Sequence, residues 1–110
     1  MTVTAKVLIP SKTAEDVQYT QYTTGSVTTI LDKFTALNYG TVAAELRVHL
    51  VTRGDSAGNH NLAVIDTIPA GSTYLFPELV GHALMTGGFV STIASVADSI
   101  TIRASGREIS

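Results

Sequence analysis

The sequence predicts an all-β chain, a single antiparallel β-sandwich of jelly-roll or immunoglobulin-like topology with about eight short strands and at most one short helix. Three observations carry that expectation. Apolar and polar residues alternate over Thr41 to Val51, turn-forming clusters recur at short intervals on either side, and no strand-like run alternates with an amphipathic helix as a parallel sheet requires. Periodicity does not fix strand order, so a small barrel stays open beside the two sandwich topologies.

Taken in order, Ala5 to Ile9 reads as a short strand ended by Pro10, and Val17 to Thr23, with Tyr19 and Tyr22, as a second one before the Gly25-Ser26 turn. Residues 1–16, set apart by Pro10-Ser11-Lys12, are read as an N-terminal arm or edge strand preceding a sandwich of residues 17–110. Val27 to Leu37 is rich in β-branched and aromatic residues. Asn38-Tyr39-Gly40 after it is expected to turn the chain back, pairing this run antiparallel with the Thr41 strand. In that strand Val42, Ala44, Leu46, Val48 and Leu50 lie on one face, which a helix would scatter around its circumference.

Arg53 to Asn61 is the most polar and turn-prone stretch and is expected to form an exposed loop, tolerant of insertion around Gly58. Leu62 to Ile68 and Ser72 to Phe76 are strands separated by Pro69-Ala70-Gly71. Leu79, Ala83 and Leu84 have helical spacing behind Pro77 and ahead of Gly87-Gly88, so one short helix or helical turn is expected there. Phe89 to Val96 and Ser99 to Ala104 complete the set around Ala97-Asp98.

The chain has 110 residues, 45% of them hydrophobic and 15% charged, a balance that favours folding over disorder. A net charge of -2 offers no general attraction for phosphate backbones or anionic lipid, so neither nucleic acid nor membrane is an expected partner. Without cysteine, thiol catalysis, thiolate metal sites and disulfides are excluded. Lys6, Lys12, Glu15 and Asp16 occupy the place of an apolar leader core, and the chain is read as soluble and unprocessed.

The search for chemistry assigns no catalytic, cofactor-binding or metal-ligating residue, and the chain is expected not to be an enzyme. His49, His60 and His82 match no zinc spacing. Glu45, Arg47 and His49 form a charge row on one strand face, read as solvated or interfacial, and His82 is read as a packing residue. Asp32, Glu45, Asp66, Glu78 and Asp98 are too scattered to argue for a paired acid and base. Nucleophile-elbow, phosphate-loop and zincin motifs are absent, Asp55 to Asn59 lacks the acidic pattern of a calcium loop, and Arg53-Gly54-Asp55 is a chance string. The opposite charges at Glu15-Asp16 near one end and at Arg103, Arg107 and Glu108 near the other are read as solvated, with contacts to neighbouring subunits as the alternative.

Pro69-Ala70-Gly71-Ser72-Thr73-Tyr74-Leu75-Phe76-Pro77-Glu78-Leu79-Val80-Gly81-His82, the passage Phe34 to Val51, and Ile100 to Ile109 resemble a group of small virion proteins of tailed bacteriophages. The resemblance implies a virion component made in the host cytoplasm, chiefly a capsid decoration or cement protein. Such proteins sit on the shell as homo-oligomers, commonly trimers at local three-fold positions, and contact the major capsid protein or other virion proteins. It carries no catalytic motif and no cofactor. A tail, neck or head-to-tail component is the alternative, as is a carbohydrate- or receptor-binding module using Tyr19, Tyr22, Tyr39 and Tyr74. For the cement reading, residues 1–16 are the expected capsid-contacting arm, and deleting residues 1–14 is expected to leave a folded domain that no longer binds the shell.

Overall fold

A computed structural model describes residues 1–110. Nine strands form: β1 (Val3–Thr13), β2 (Tyr19–Thr23), β3 (Thr28–Asn38), β4 (Ala44–Val51), β5 (Leu62–Ile68), β6 (Thr73–Tyr74), β7 (Ala83–Leu84), β8 (Phe89–Ala94) and β9 (Ile100–Ile109). One antiparallel sheet has the order β1-β9-β3-β6, with β7 also on β3, and the other has the order β2-β8-β4-β5. β6 meets the end of β3 at Ala36 and Leu37, and β7 meets its beginning at Thr29 and Ile30, so the two are halves of one interrupted edge strand.

Counted that way there are eight strands, and their pairing is nested. β1 pairs β9, β2 pairs β8, β3 pairs the split β6/β7, and β4 pairs β5. This is one long hairpin rolled over on itself, closed by the additional pairs β3 with β9 and β4 with β8. Of the topologies left open by periodicity, the jelly roll is therefore the one adopted.

The inward residues of both sheets make one core, including Leu31, Phe34, Leu46, Val48, Val90, Ile100 and Ile102. Phe76 is fully buried, edge-on to Phe34 at 5.1 Å and to Tyr74 at 4.7 Å between ring centroids. Its backbone is left-handed, with φ 46, a conformation costing about 1–3 kcal/mol in a bulky residue and held by this aromatic packing. Asp98 takes φ 51 in the turn between β8 and β9, where a short polar side chain suits that region.

Three local expectations are corrected. β3 and β4 do not pair with each other but lie in opposite sheets, so the segment Tyr39 to Ala43 arches across the sandwich instead of closing a hairpin. The buried Asn38 amide holds that arch. Its Nδ2 donates to the carbonyls of Val42 and Ile68, each at 2.8 Å, and its Oδ1 accepts from the Gly40 N–H at 2.9 Å. The helical spacing after Pro77 yields only a 3-10 turn at Pro77–Leu79, because Ala83–Leu84 is drawn into pairing with β3.

The first strand does not stop at Pro10. β1 runs on to Thr13, with register shifts between Val7 and Ile9 and between Ile9 and Lys12. Proline is tolerated there because an edge strand has a side with no ladder partner, and bulges remove others. Residues 1–16 thus supply the outer strand of the first sheet, and they place Leu8, Ile9 and Ala14 in the core. Deleting residues 1–14 strips those side chains from the core, so the truncated chain is not expected to fold.

Candidate functional site

The residues singled out from sequence are dispersed over the sandwich. Glu45 and Arg47 project from the outer face of β4 and pair with each other at 2.7 Å. His49 shares that face but is covered by the β4–β5 loop. Its Nδ1 lies 3.1 Å from Asn61 Oδ1 and 3.2 Å from the Gly58 carbonyl. Both neighbours are acceptors, the Asn61 orientation being set by its Nδ2 donating to the Ser56 carbonyl, so Nδ1 carries the proton. His49 is a loop anchor. Gly58 is consequently a fixed point, and the open part of the loop is Gly54, which has no neighbour within 4 Å of where a Cβ would stand.

His60 Nε2 meets Asp55 at 2.7 Å, and hydrogen bonds from His60 and then from the Ser56 N–H hold the Asp55 carboxyl below its ordinary range. His82 is exposed. No group of three or more His, Asp or Glu side chains comes together as a metal site would need, and no helix is long and apolar enough to cross a membrane.

Asp32, Glu45 and Glu78 each have a different side-chain partner, and Asp66 and Asp98 accept no side-chain hydrogen bond. Asp32 takes a forked pair of bonds from Arg107, Nε at 3.0 Å and Nη2 at 2.9 Å. Glu78 accepts the Tyr74 hydroxyl at 2.6 Å, which pushes the Tyr74 phenol up to about 12. The tyrosines likewise fail to converge. Tyr22 and Tyr74 are tied to Glu108 and Glu78, while Tyr19 lies under the Lys12 ammonium at 4.4 Å and Tyr39 meets Thr13 at 3.3 Å.

What remains is a set of outer surfaces. On the outer face of the first sheet, Lys33, Arg103 and Arg107 stand against Asp32 alone amid Thr35, Thr101 and Ser105, although the whole chain is net negative. On the second sheet Gln18, Glu45, Arg47, His49, Ile93 and Ser95 line a shallow open groove beside Gly58.

The end of the first sheet is built differently. There Glu108 of β9 accepts from Tyr22 of β2 at 2.7 Å and from Lys6 of β1 at 3.1 Å, while the Tyr22 hydroxyl is 2.9 Å from Thr29 of β3. Tyr22 first and Lys6 second hold the Glu108 carboxyl below its ordinary value. This cluster joins the two sheets. Sequence reasoning placed Glu108 near the end of the chain but gave it no partner, because Tyr22, 86 positions away, meets it only once the hairpin has rolled.

No family model matches the chain, and no curated protein matches its sequence. Among solved structures its fold is similar to a chain of the Bacillus endospore appendages, described as a novel family of disulfide-linked pili. The TM-score is 0.60 at 12% identity, over 99% of this chain and 88% of that one. It is also similar to a chain in the structure of infectious bursal disease virus, Gx strain, with a TM-score of 0.51 at 12% identity. That match covers 97% of this chain and 32% of the viral one, so the present chain spans about a third of its length. At such identities the likeness is one of fold. The disulfide links of those pili have no counterpart here, since this chain has no cysteine.

Proposed function

We propose that this protein is a structural subunit of a virion, specifically a decoration protein on the capsid of a tailed bacteriophage that reinforces the shell through subunit contacts. The observation that carries the reading is the jelly roll itself, similar to chains from a pilus and from a virus, presented with ion-paired, hydroxyl-rich outer faces. Many weak contacts from such faces, multiplied by the symmetry of a shell, strengthen it without chemistry. The residue resemblance at Pro69 to His82 and Ile100 to Ile109 directs the reading to tailed bacteriophages and favours trimers at local three-fold positions. The partner is then the major capsid protein, and the role needs no catalytic residue and no cofactor.

Mixing the purified protein with capsids of its phage that lack it, then pelleting them and counting bound copies, tests the role. Saturation at a fixed number of copies per capsomer, with capsids surviving higher temperature or lower ionic strength, is the expected result. Absence of binding to intact shells overturns it, and binding to isolated tails or to a glycan array then identifies which alternative holds.

A further inference from the structure

We infer that the first half of β1 is a self-complementary edge through which two copies of this chain pair about a two-fold axis, extending the first sheet across both molecules. Thr2 and Ser110 exchange both backbone hydrogen bonds, N–H to carbonyl at 3.1 Å and 3.0 Å. In an antiparallel ladder such exchanging pairs alternate with non-exchanging ones, so Thr4 and Lys6 turn their backbone groups toward β9. Val3, Ala5 and Val7 therefore turn theirs to the open side, where no strand lies.

The side chains at this edge do not guard it. Residues 3–7 are all exposed, with Val3 at 51% and Val7 at 41%. Natural edges are blunted by proline, bulges or a free lysine. Here Pro10 and both bulges come later in β1, and Lys6 is engaged by Glu108. The other edges are poorer templates. β2 has 5 residues, β6 and β7 have 2 each, and β5 carries Asp66 with no cation on the strand to balance a second copy.

The occupant follows from the register. Only odd residues offer free backbone groups, so an antiparallel partner must match odd to odd, and centring on Ala5 joins Val3 to Val7 of the other copy at both ends. The seam then has about six backbone hydrogen bonds, two from each of three pairs, and a small side chain on the axis. The valines cover one another on the outer face. On the inner face Lys6 falls opposite Thr4 of the partner copy, whose ladder neighbour is Glu108. Each Glu108 thus faces its own Lys6 and that of the other copy, and no like charges are directly opposed.

Such a contact is isologous and closes at two copies, unlike the trimer that the resemblance favours. It goes beyond the decoration role, which does not depend on it, and it excludes the trimeric state that the resemblance favours.

Light scattering over a dilution series tests the inference, alongside Ala5→Pro, which removes an outward N–H without touching the β9 ladder, and Ala5→Lys, which sets two cations on the axis. The expected result is a mass twice that of one chain, dissociating on dilution, with the apparent Kd raised about tenfold or more in both variants. At dilutions where the wild type is monomeric, the melting temperature of Ala5→Pro should be unchanged, and that of Ala5→Lys, which also sets a cation opposite Arg107, should fall only slightly. Since the chain has no cysteine, Ala5→Cys gives an independent readout. A short thiol cross-linker should couple Ala5→Cys to itself and leave Val3→Cys uncoupled. A monomer at every concentration, a trimer, or a dimer indifferent to both Ala5 substitutions overturns the inference. Failure of the capsid-binding experiment leaves it untouched.

Discussion

Gly106 sits in the middle of β9 with strands on both sides, opposite Lys6 on one and Leu31 on the other. A Cβ there would collide with the Ile30 carbonyl oxygen and stand 2.9 Å from Leu8 Cδ1. The obstacle is backbone, which cannot swing aside, so Gly106→Ala should cost about 3 kcal/mol, at the upper end for overpacking, read as a lower urea midpoint. Asn38→Ala strands the buried Ile68 carbonyl and removes the partner of the half-buried Val42 carbonyl and Gly40 N–H, and should cost about 2 kcal/mol. Asn38→Asp should be worse at neutral pH, because a carboxylate would face two carbonyls, and should improve in acid as that group takes up a proton. Urea unfolding at two pH values checks both. The sequence marks Asn38 and Gly106 as turn-prone and small, and the Asn38 turn was expected. Their roles were not legible, because Ile68, Ile30 and Leu8 reach them only through long-range pairing.

Alternation and turn chemistry are properties of a few neighbouring residues, which explains why β4, β5, β8 and β9 were legible as elements. Whether a strand continues past a proline depends on what lies beside it, and β1 passes Pro10 because it is an edge. Removing residues 1–14 takes Leu8, Ile9 and Ala14 from the core and uncovers β9, so the truncated protein should lose its cooperative thermal transition in circular dichroism. The Glu108 cluster, which joins β1, β2, β3 and β9, supplies a pH signature. Its carboxyl titrates below the ordinary 4.5, so its stabilisation is complete above that value and is lost as pH falls through the lower folded value. Glu108→Gln should accordingly melt below the wild type near neutrality, and the gap should close as pH is taken below 4.5 and through the lower folded value in a series of thermal melts.

At the scale of the whole molecule, nesting makes the earliest and latest strands neighbours. Thr2 and Ser110 are hydrogen-bonded to each other, and Gly54, at φ 85 in the exposed part of the β4–β5 loop, lies at the tip of the rolled hairpin. A circular permutant with the two ends joined by a short linker and new ends at Gly54 should fold with a melting temperature within a few degrees of the wild type. One opened at Gly58 should be less stable, because it cuts the segment that His49 holds. Strand order was the largest thing not legible in the sequence. Nothing local distinguishes a connection that reverses within a sheet from one that crosses to the other, and Asn38-Tyr39-Gly40 satisfies both descriptions.

The adjacency of the two ends also decides how this molecule bears load. Tension applied through them would peel β1 from β9 like a zipper, each rung breaking alone and at low force. Tension applied across the sheets, along the strands of a neighbour or a shell, would have to shear whole ladders at once. A subunit of this design is tough when gripped by its faces and edges and weak when tethered by its ends.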